Sequence, residues 1–130
     1  RECILRAMPF ADIVKVSEEE LVFLTGETEL RRGAAVLYAR FPMKALLCTL
    51  GAKGVLALVG DEIIARDGLP VKTVDTTAAG DSFTGFFIGG LVQGMDAADA
   101  LEWAAKAAAI AVSRPGAAPS IPSKEEVDRF

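Results

Sequence analysis

Residues 74–83 read Val74-Asp75-Thr76-Thr77-Ala78-Ala79-Gly80-Asp81-Ser82-Phe83. Val71–Val74, with three β-branched residues around Lys72, predicts a short strand, small residues follow it, and from Asp81 an apolar pattern predicts a helix to Gly94. The first N–H groups of any helix lack intrahelical partners, and its dipole adds partial positive charge at that end. Ala78, Ala79 and Gly80 carry little or no side chain, so an anion such as a phosphate can reach the backbone closely. Asp81 falls in the first turn, within reach of a bound hydroxyl. Two readings stand at this point: an anion cradle with a base beside it, or a carboxylate that caps a helix and small residues that pack.

Outward from this stretch the chain alternates. Downstream, the glycines at 85, 89 and 90 inside an almost wholly apolar helix predict that it is buried and that neighbouring backbones approach it closely. Ala97–Val112 predicts an alanine-rich helix with Asp99, Glu102, Lys106 and Ser113 on one wet stripe. Pro115-Gly116 opens a loop through Pro122, and Ser123 caps a last short helix. Upstream, a helix over Glu2–Met8 stops at Pro9, and Asp12–Val16 predicts a strand. Ser17 and Glu20 have capping-box spacing ahead of a helix over Glu18–Leu24 closed by Gly26. Glu29–Ala39 predicts a helix. Ala45–Leu50 is continuously apolar, as a strand covered on both faces would be. Val55–Val59 and Glu62–Arg66 predict strands joined by the two-residue hairpin signal Gly60-Asp61. The fold class expected is α/β: a mostly parallel sheet flanked by helices, with an antiparallel hairpin extension.

Composition excludes several functions. The chain has 130 residues, 52% of them hydrophobic, and a net charge of −4. No Lys/Arg cluster stands out, which argues against a nucleic-acid partner. The apolar stretch Phe83–Met95 is too short and too rich in glycine to span a membrane. The absence of histidine removes His-based triads and the usual zinc sites. Two cysteines, Cys3 and Cys48, make no disulfide framework, and a reducing cytoplasm is the expected setting. The chain opens on Arg1 and runs directly into a helical pattern, which reads as an internal start.

Asp75-Thr76-Thr77-Ala78-Ala79-Gly80-Asp81-Ser82-Phe83-Thr84-Gly85 resembles the C-terminal signature of the ribokinase/PfkB carbohydrate kinases. Three further segments resemble the family in its own order: the acidic stretch Ser17-Glu18-Glu19-Glu20 with Leu24-Thr25-Gly26, the nucleotide-binding turn Thr49-Leu50-Gly51-Ala52-Lys53-Gly54, and Ala111 to Ser120 with Arg114-Pro115-Gly116-Ala117. The resemblance implies a ribokinase-like fold. It implies that residues 1–130 are the C-terminal nucleotide-binding and catalytic part of such a domain, without the N-terminal sugar-binding part and lid. It also implies ATP-dependent phosphorylation of a sugar hydroxyl. Asp81 would be the base, and the N–H groups of Ala79, Gly80 and Asp81 would hold the transferring phosphoryl. Ser17, Thr49, Gly51, Lys53, Gly54 and Ala105 would border ATP. Glu20 would serve Mg²⁺, although the capping-box role competes for it. Asp75, Thr77, Ala111, Arg114, Gly116 and Ser120 match positions that bind a monovalent cation, usually K⁺.

Departures matter as well. Ser17 stands where ribokinases often carry asparagine, which favours a fructokinase-like identity. Ala105 stands where many members have asparagine near the adenine, which puts base selectivity in doubt. The partners expected are a sugar and ATP, and the resemblance is compatible with a homodimer of the full-length protein. The isolated chain is expected to lack kinase activity and to associate. Competing readings are the same chemistry on ribose, a sugar acid, a sugar phosphate or a nucleoside, and a non-catalytic nucleotide-binding homologue. A Rossmann oxidoreductase is disfavoured, because Gly51-Ala52-Lys53-Gly54 lacks the G-x-G-x-x-G layout and a later ribose-binding acid.

Overall fold

The apolar run around Leu46 lies at the heart of a four-stranded sheet, with strand order β1-β2-β3-β4. In the computed structural model, which describes residues 1–130, the chain divides into two units, residues 1–65 and 66–130. The first contains α1 (Glu2–Ala7), β1 (Ile13–Ser17), α2 (Glu18–Thr25), α3 (Leu30–Arg40), β2 (Ala45–Thr49) and β3 (Gly54–Val59). β4 (Glu62–Asp67) follows and crosses the division. β1 and β2 run parallel, with Val14 opposite Leu46 and Ser17 opposite Thr49. β2 and β3 pair antiparallel, with Cys48 opposite Leu56. The antiparallel portion therefore begins one connection earlier than the Gly60-Asp61 signal indicates.

That earlier turn is a single 3-10 turn over Gly51–Lys53. Gly51 (φ +58°) and Gly54 (φ +115°) take backbone angles that side chains disfavour, and so the chain can reverse there tightly.

The core of this unit follows from the pattern. Ala45, Leu46, Leu47 and Cys48 are all buried. Leu21 and Leu24 of α2 and Leu37 of α3 pack against Leu46, Leu56 and Leu58. Each such leucine, taken fully out of water, contributes about 1.5–3 kcal/mol before the entropy of ordering it. α2 begins as its sequence requires: Ser17 Oγ accepts from Glu20 N–H at 3.1 Å, and Glu20 Oε2 accepts from Ser17 N–H at 2.7 Å. Glu29 is the cap of α3, accepting from Arg31 and Arg32 N–H, rather than its first residue.

Burial pushes the Cys48 thiol up to about 12, so it stays protonated and inert, whereas Cys3 is exposed. A maleimide pulse at pH 7.5 is expected to label Cys3 and leave Cys48 unmodified until denaturant is added. Peptide mapping reads this out, and native labelling of Cys48 would contradict the packing described.

The second unit holds α4 (Ala79–Val92), α5 (Ala97–Val112) and α6 (Lys124–Arg129). α4 and α5 pack side by side, and Trp103 and Ile110 of α5 form a cluster with Val127 of α6. Two expectations need correction here. Residues 71–74 form no strand: they lack a ladder partner, and Val74 N–H donates instead to Val112 O at 2.7 Å. α4 is not buried all round. Phe83, Phe87 and Gly90 face inward, but Ile88 is 41% and Val92 82% exposed. Its glycines also differ: a Cβ at Gly85 would meet nothing within 4 Å, whereas one at Gly90 would lie 3.0 Å from Ala100 Cβ. Close approach is thus required at one glycine and not at all three. No helix is long and apolar enough to cross a membrane.

Candidate active site

α4 begins without a side-chain cap, with Ala78 at the capping position. α2, α3, α5 and α6 are capped by Ser17, Glu29, Asp96 and Ser123 respectively. At the start of α4, Ala79 N–H bends back to Thr76 O at 3.3 Å, and Ser82 N–H reaches Ala78 O at 2.9 Å. Between them, no protein acceptor meets the N–H groups of Gly80 and Asp81. Donors left open at the positive end of a helix are suited to an anion. Asp81 is exposed beside them. An open groove of about 410 Å³ runs from Asp81 past Gly85 and Gly89, with Phe86, Trp103 and Lys124 among its walls. Phe86 and Trp103 meet edge to face, with ring centroids 4.7 Å apart.

The loop before α4 is tied by Asp75. Its Oδ1 accepts from Thr77 N–H at 2.9 Å and from the Thr77 hydroxyl. Its Oδ2 accepts from Gly116 N–H at 3.0 Å. These bonds, the Thr77 hydroxyl foremost, hold the carboxyl below the usual carboxylate range. One side chain thereby joins the segment leading into α4 to the loop after α5. Val74 and Asp75 N–H both donate to Val112 O, which strengthens the same junction. In that later loop Ser120 is buried, and its hydroxyl donates to Ala117 O at 2.7 Å. Ala111 O accepts from Arg114 N–H at 3.2 Å. Of the six residues matched to a monovalent cation, the structure links Asp75, Thr77 and Gly116 directly, and places Ala111, Arg114 and Ser120 on the same short stretch. The donors they offer are oxygens, the type a hard cation takes.

In the first unit, the candidate nucleotide residues gather at the carboxyl ends of the two parallel strands. Ser17 and Thr49 are register partners there, and Thr49 Oγ1 lies 3.4 Å from Val16 O. Gly51, Lys53 and Gly54 form the turn that follows. Lys53 Nζ lies 3.7 Å from Glu18 Oε2, both side chains being largely exposed, so this pair adds little stability. Glu20 spends one carboxylate oxygen on the cap described above. No three acidic, histidine or cysteine side chains converge into a metal cluster. Mg²⁺ commonly uses one or two carboxylates together with substrate phosphates, so a lone Glu20 fits that habit. Ala105 is half-buried on α5.

Sequence reasoning missed three features of the second unit. Ser82 Oγ is buried and has no hydrogen-bond partner. Trp103 Nε1 donates to Asp128 at 2.9 Å, and Lys124 shares that carboxylate at 2.6 Å. Arg114 forms a two-pronged pair with Glu126. The Trp103–Asp128 and Arg114–Glu126 contacts join residues far apart in sequence, and no local spacing signals them.

The residues 1–124 match the model of the pfkB family carbohydrate kinases. The chain is 37% identical to a fructokinase of Klebsiella pneumoniae over 139 aligned residues, covering 99% of this chain and 44% of that protein. Among solved structures, a fructokinase from Vibrio cholerae with bound fructose, ADP and calcium superposes with a TM-score of 0.89 at 36% identity, covering 99% of this chain and 44% of that one. A ribokinase from Arabidopsis thaliana with ribose and ATP superposes at 0.83 and 35% identity, covering 91% and 40%. The chain thus spans less than half the length of each of these three proteins. With a family model covering nearly its whole length and a ribokinase-like fold reproduced at these scores, the chain belongs to the pfkB family of carbohydrate kinases.

Proposed function

We propose that this chain is the nucleotide-binding and catalytic portion, C-terminal in its domain, of an ATP-dependent sugar kinase, with fructose as the preferred acceptor. The observation that carries the reading is the uncapped start of α4, where the free N–H groups of Gly80 and Asp81 adjoin an exposed carboxylate. In this reading Asp81 takes the proton of the attacking sugar hydroxyl. Gly80 and Asp81 N–H, with Ala79 at the turn, stabilise charge on the phosphoryl group in flight. Phosphoryl transfer asks little covalent chemistry of a protein, so position and charge stabilisation dominate.

Ser17, Thr49, Gly51, Lys53 and Gly54 would border ATP, with Ala105 near the adenine. Glu20 would order Mg²⁺ through water, and that ion would neutralise phosphate charge. A monovalent cation, K⁺ by preference, would sit among Asp75, Thr77, Ala111, Arg114, Gly116 and Ser120, where its charge reinforces the α4 end. Ser17 and the fructokinase relatives support fructose over ribose.

Measuring ADP release by the intact protein against fructose, ribose, glucose and a nucleoside tests this. Turnover is expected with fructose first. ATP binding without turnover on any acceptor would replace this reading with that of a non-catalytic homologue.

A further inference from the structure

The loop from Ser113 to Pro122 carries three of the proposed cation residues, yet Pro115 to Pro119 is exposed. Such a segment would have to be ordered each time a cation bound, and that ordering lowers affinity. Two contacts oppose this. One is the Gly116 N–H to Asp75 bond at 3.0 Å. The other is made by Arg114, whose Nη2 donates to Glu126 Oε1 at 2.6 Å and Nη1 to Oε2 at 3.4 Å. Glu126 is itself fixed, since its Oε2 accepts from Ser123 N–H at 2.8 Å and its own N–H donates to Ser123 Oγ at 3.3 Å. α6 in turn is seated by Val127, which is buried in the cluster with Trp103 and Ile110.

We infer that Glu126 is a positioning residue: through the Arg114 guanidinium it holds the Arg114 backbone and the adjoining Gly116 in place for the cation, so that the last helix sets the affinity for K⁺. This rests on the reading of that loop as the cation site. The planar, forked guanidinium makes the contact directional in a way a lysine would not. The two side chains are 36% and 37% exposed, so the effect is moderate.

Glu126→Gln in the intact protein separates the roles. Glutamine retains an acceptor for the Ser123 cap but loses the charge that holds Arg114. Asp128→Asn is the control, because it weakens the seat of α6 on Trp103 without touching Arg114. Two readouts are needed: the K⁺ concentration giving half-maximal turnover, and the rise in Tm on adding K⁺ in place of choline, followed without substrate.

For Glu126→Gln, both are expected to require roughly three- to tenfold more K⁺, the scale of one partly exposed two-pronged charged contact. Turnover at saturating K⁺ should stay near wild type, and Asp128→Asn should keep the wild-type K⁺ requirement. An unchanged K⁺ requirement in Glu126→Gln, or an equal shift in both variants, overturns the inference. A wild-type protein whose Tm and turnover ignore K⁺ overturns the cation reading itself, and is recognised without any variant.

Discussion

Asp81→Ala in the intact protein is expected to lower turnover by about 10²–10⁴-fold, the usual contribution of a well-placed general base, while ATP binding stays near wild type. The structure explains why this is a test of chemistry rather than of folding. Asp81 is exposed in the first turn of α4, so its removal opens no cavity. The helix loses only a favourable charge at its positive end, about 0.3–1 kcal/mol. Asp81→Asn sharpens the result, since it keeps the shape and removes the basicity. Turnover and nucleotide affinity should be measured separately, by coupled assay and by calorimetry. Both variants retaining turnover within about threefold would remove Asp81 from the role of base.

The second large effect is structural. Gly90→Val is expected to destabilise the unit containing α4 and α5 by about 1–3 kcal/mol, the range for overfilling a packed interface. A Cβ at this position would lie 3.0 Å from Ala100 Cβ, 3.1 Å from Met95 Sδ and 3.3 Å from Ala100 Cα. The methionine sulfur can move aside. Ala100, fully buried near the start of α5, cannot, so the helices must separate. Gly90→Ala is a useful companion, because alanine's higher helix propensity of about 1 kcal/mol offsets part of the same clash. Trp103 is the single tryptophan and lies on α5, so its fluorescence reports urea unfolding of this unit. Gly90→Val with an unshifted midpoint would mean that the helices are not in such close contact.

Much of this arrangement was legible in the residues, and the exceptions have physical causes. α2 could be placed from Ser17 and Glu20 alone, because both halves of its cap are local. Ala45–Cys48 could be read as the covered part of a strand because all four residues are apolar, whereas Thr49, which closes the strand, is polar and half-buried. Val71–Val74 misled because β-branched residues mark a strand only where a partner strand is available, and here the Val74 N–H goes to the end of α5. α4 looked buried throughout because averaged hydropathy cannot tell which side meets a neighbour. Its start falls at Ala79 and not Asp81 because the Thr76–Ala79 turn leads straight into it. Asp75 could be singled out by resemblance, but its bond to Gly116 spans distant parts of the chain. The Arg114–Glu126 and Trp103–Asp128 pairs likewise need the folded chain to bring them together.

The parallel pairing of β1 and β2 has one more consequence. A hairpin would seal the end of both strands with its own turn, whereas parallel neighbours must be connected by a long detour, here through α2 and α3. At the end carrying Ser17 and Thr49 the two strands are therefore not joined to each other: Ser17 leads into α2 and Thr49 into the Gly51–Lys53 turn towards β3, so that both sit on one rim. Beneath it, Leu46, Leu47 and Cys48 are fully buried and anchor the strand without help from the rim. Residues at such a rim can be exchanged during divergence without disturbing the hydrophobic interior, which is how one scaffold can drift between ligands while its architecture persists.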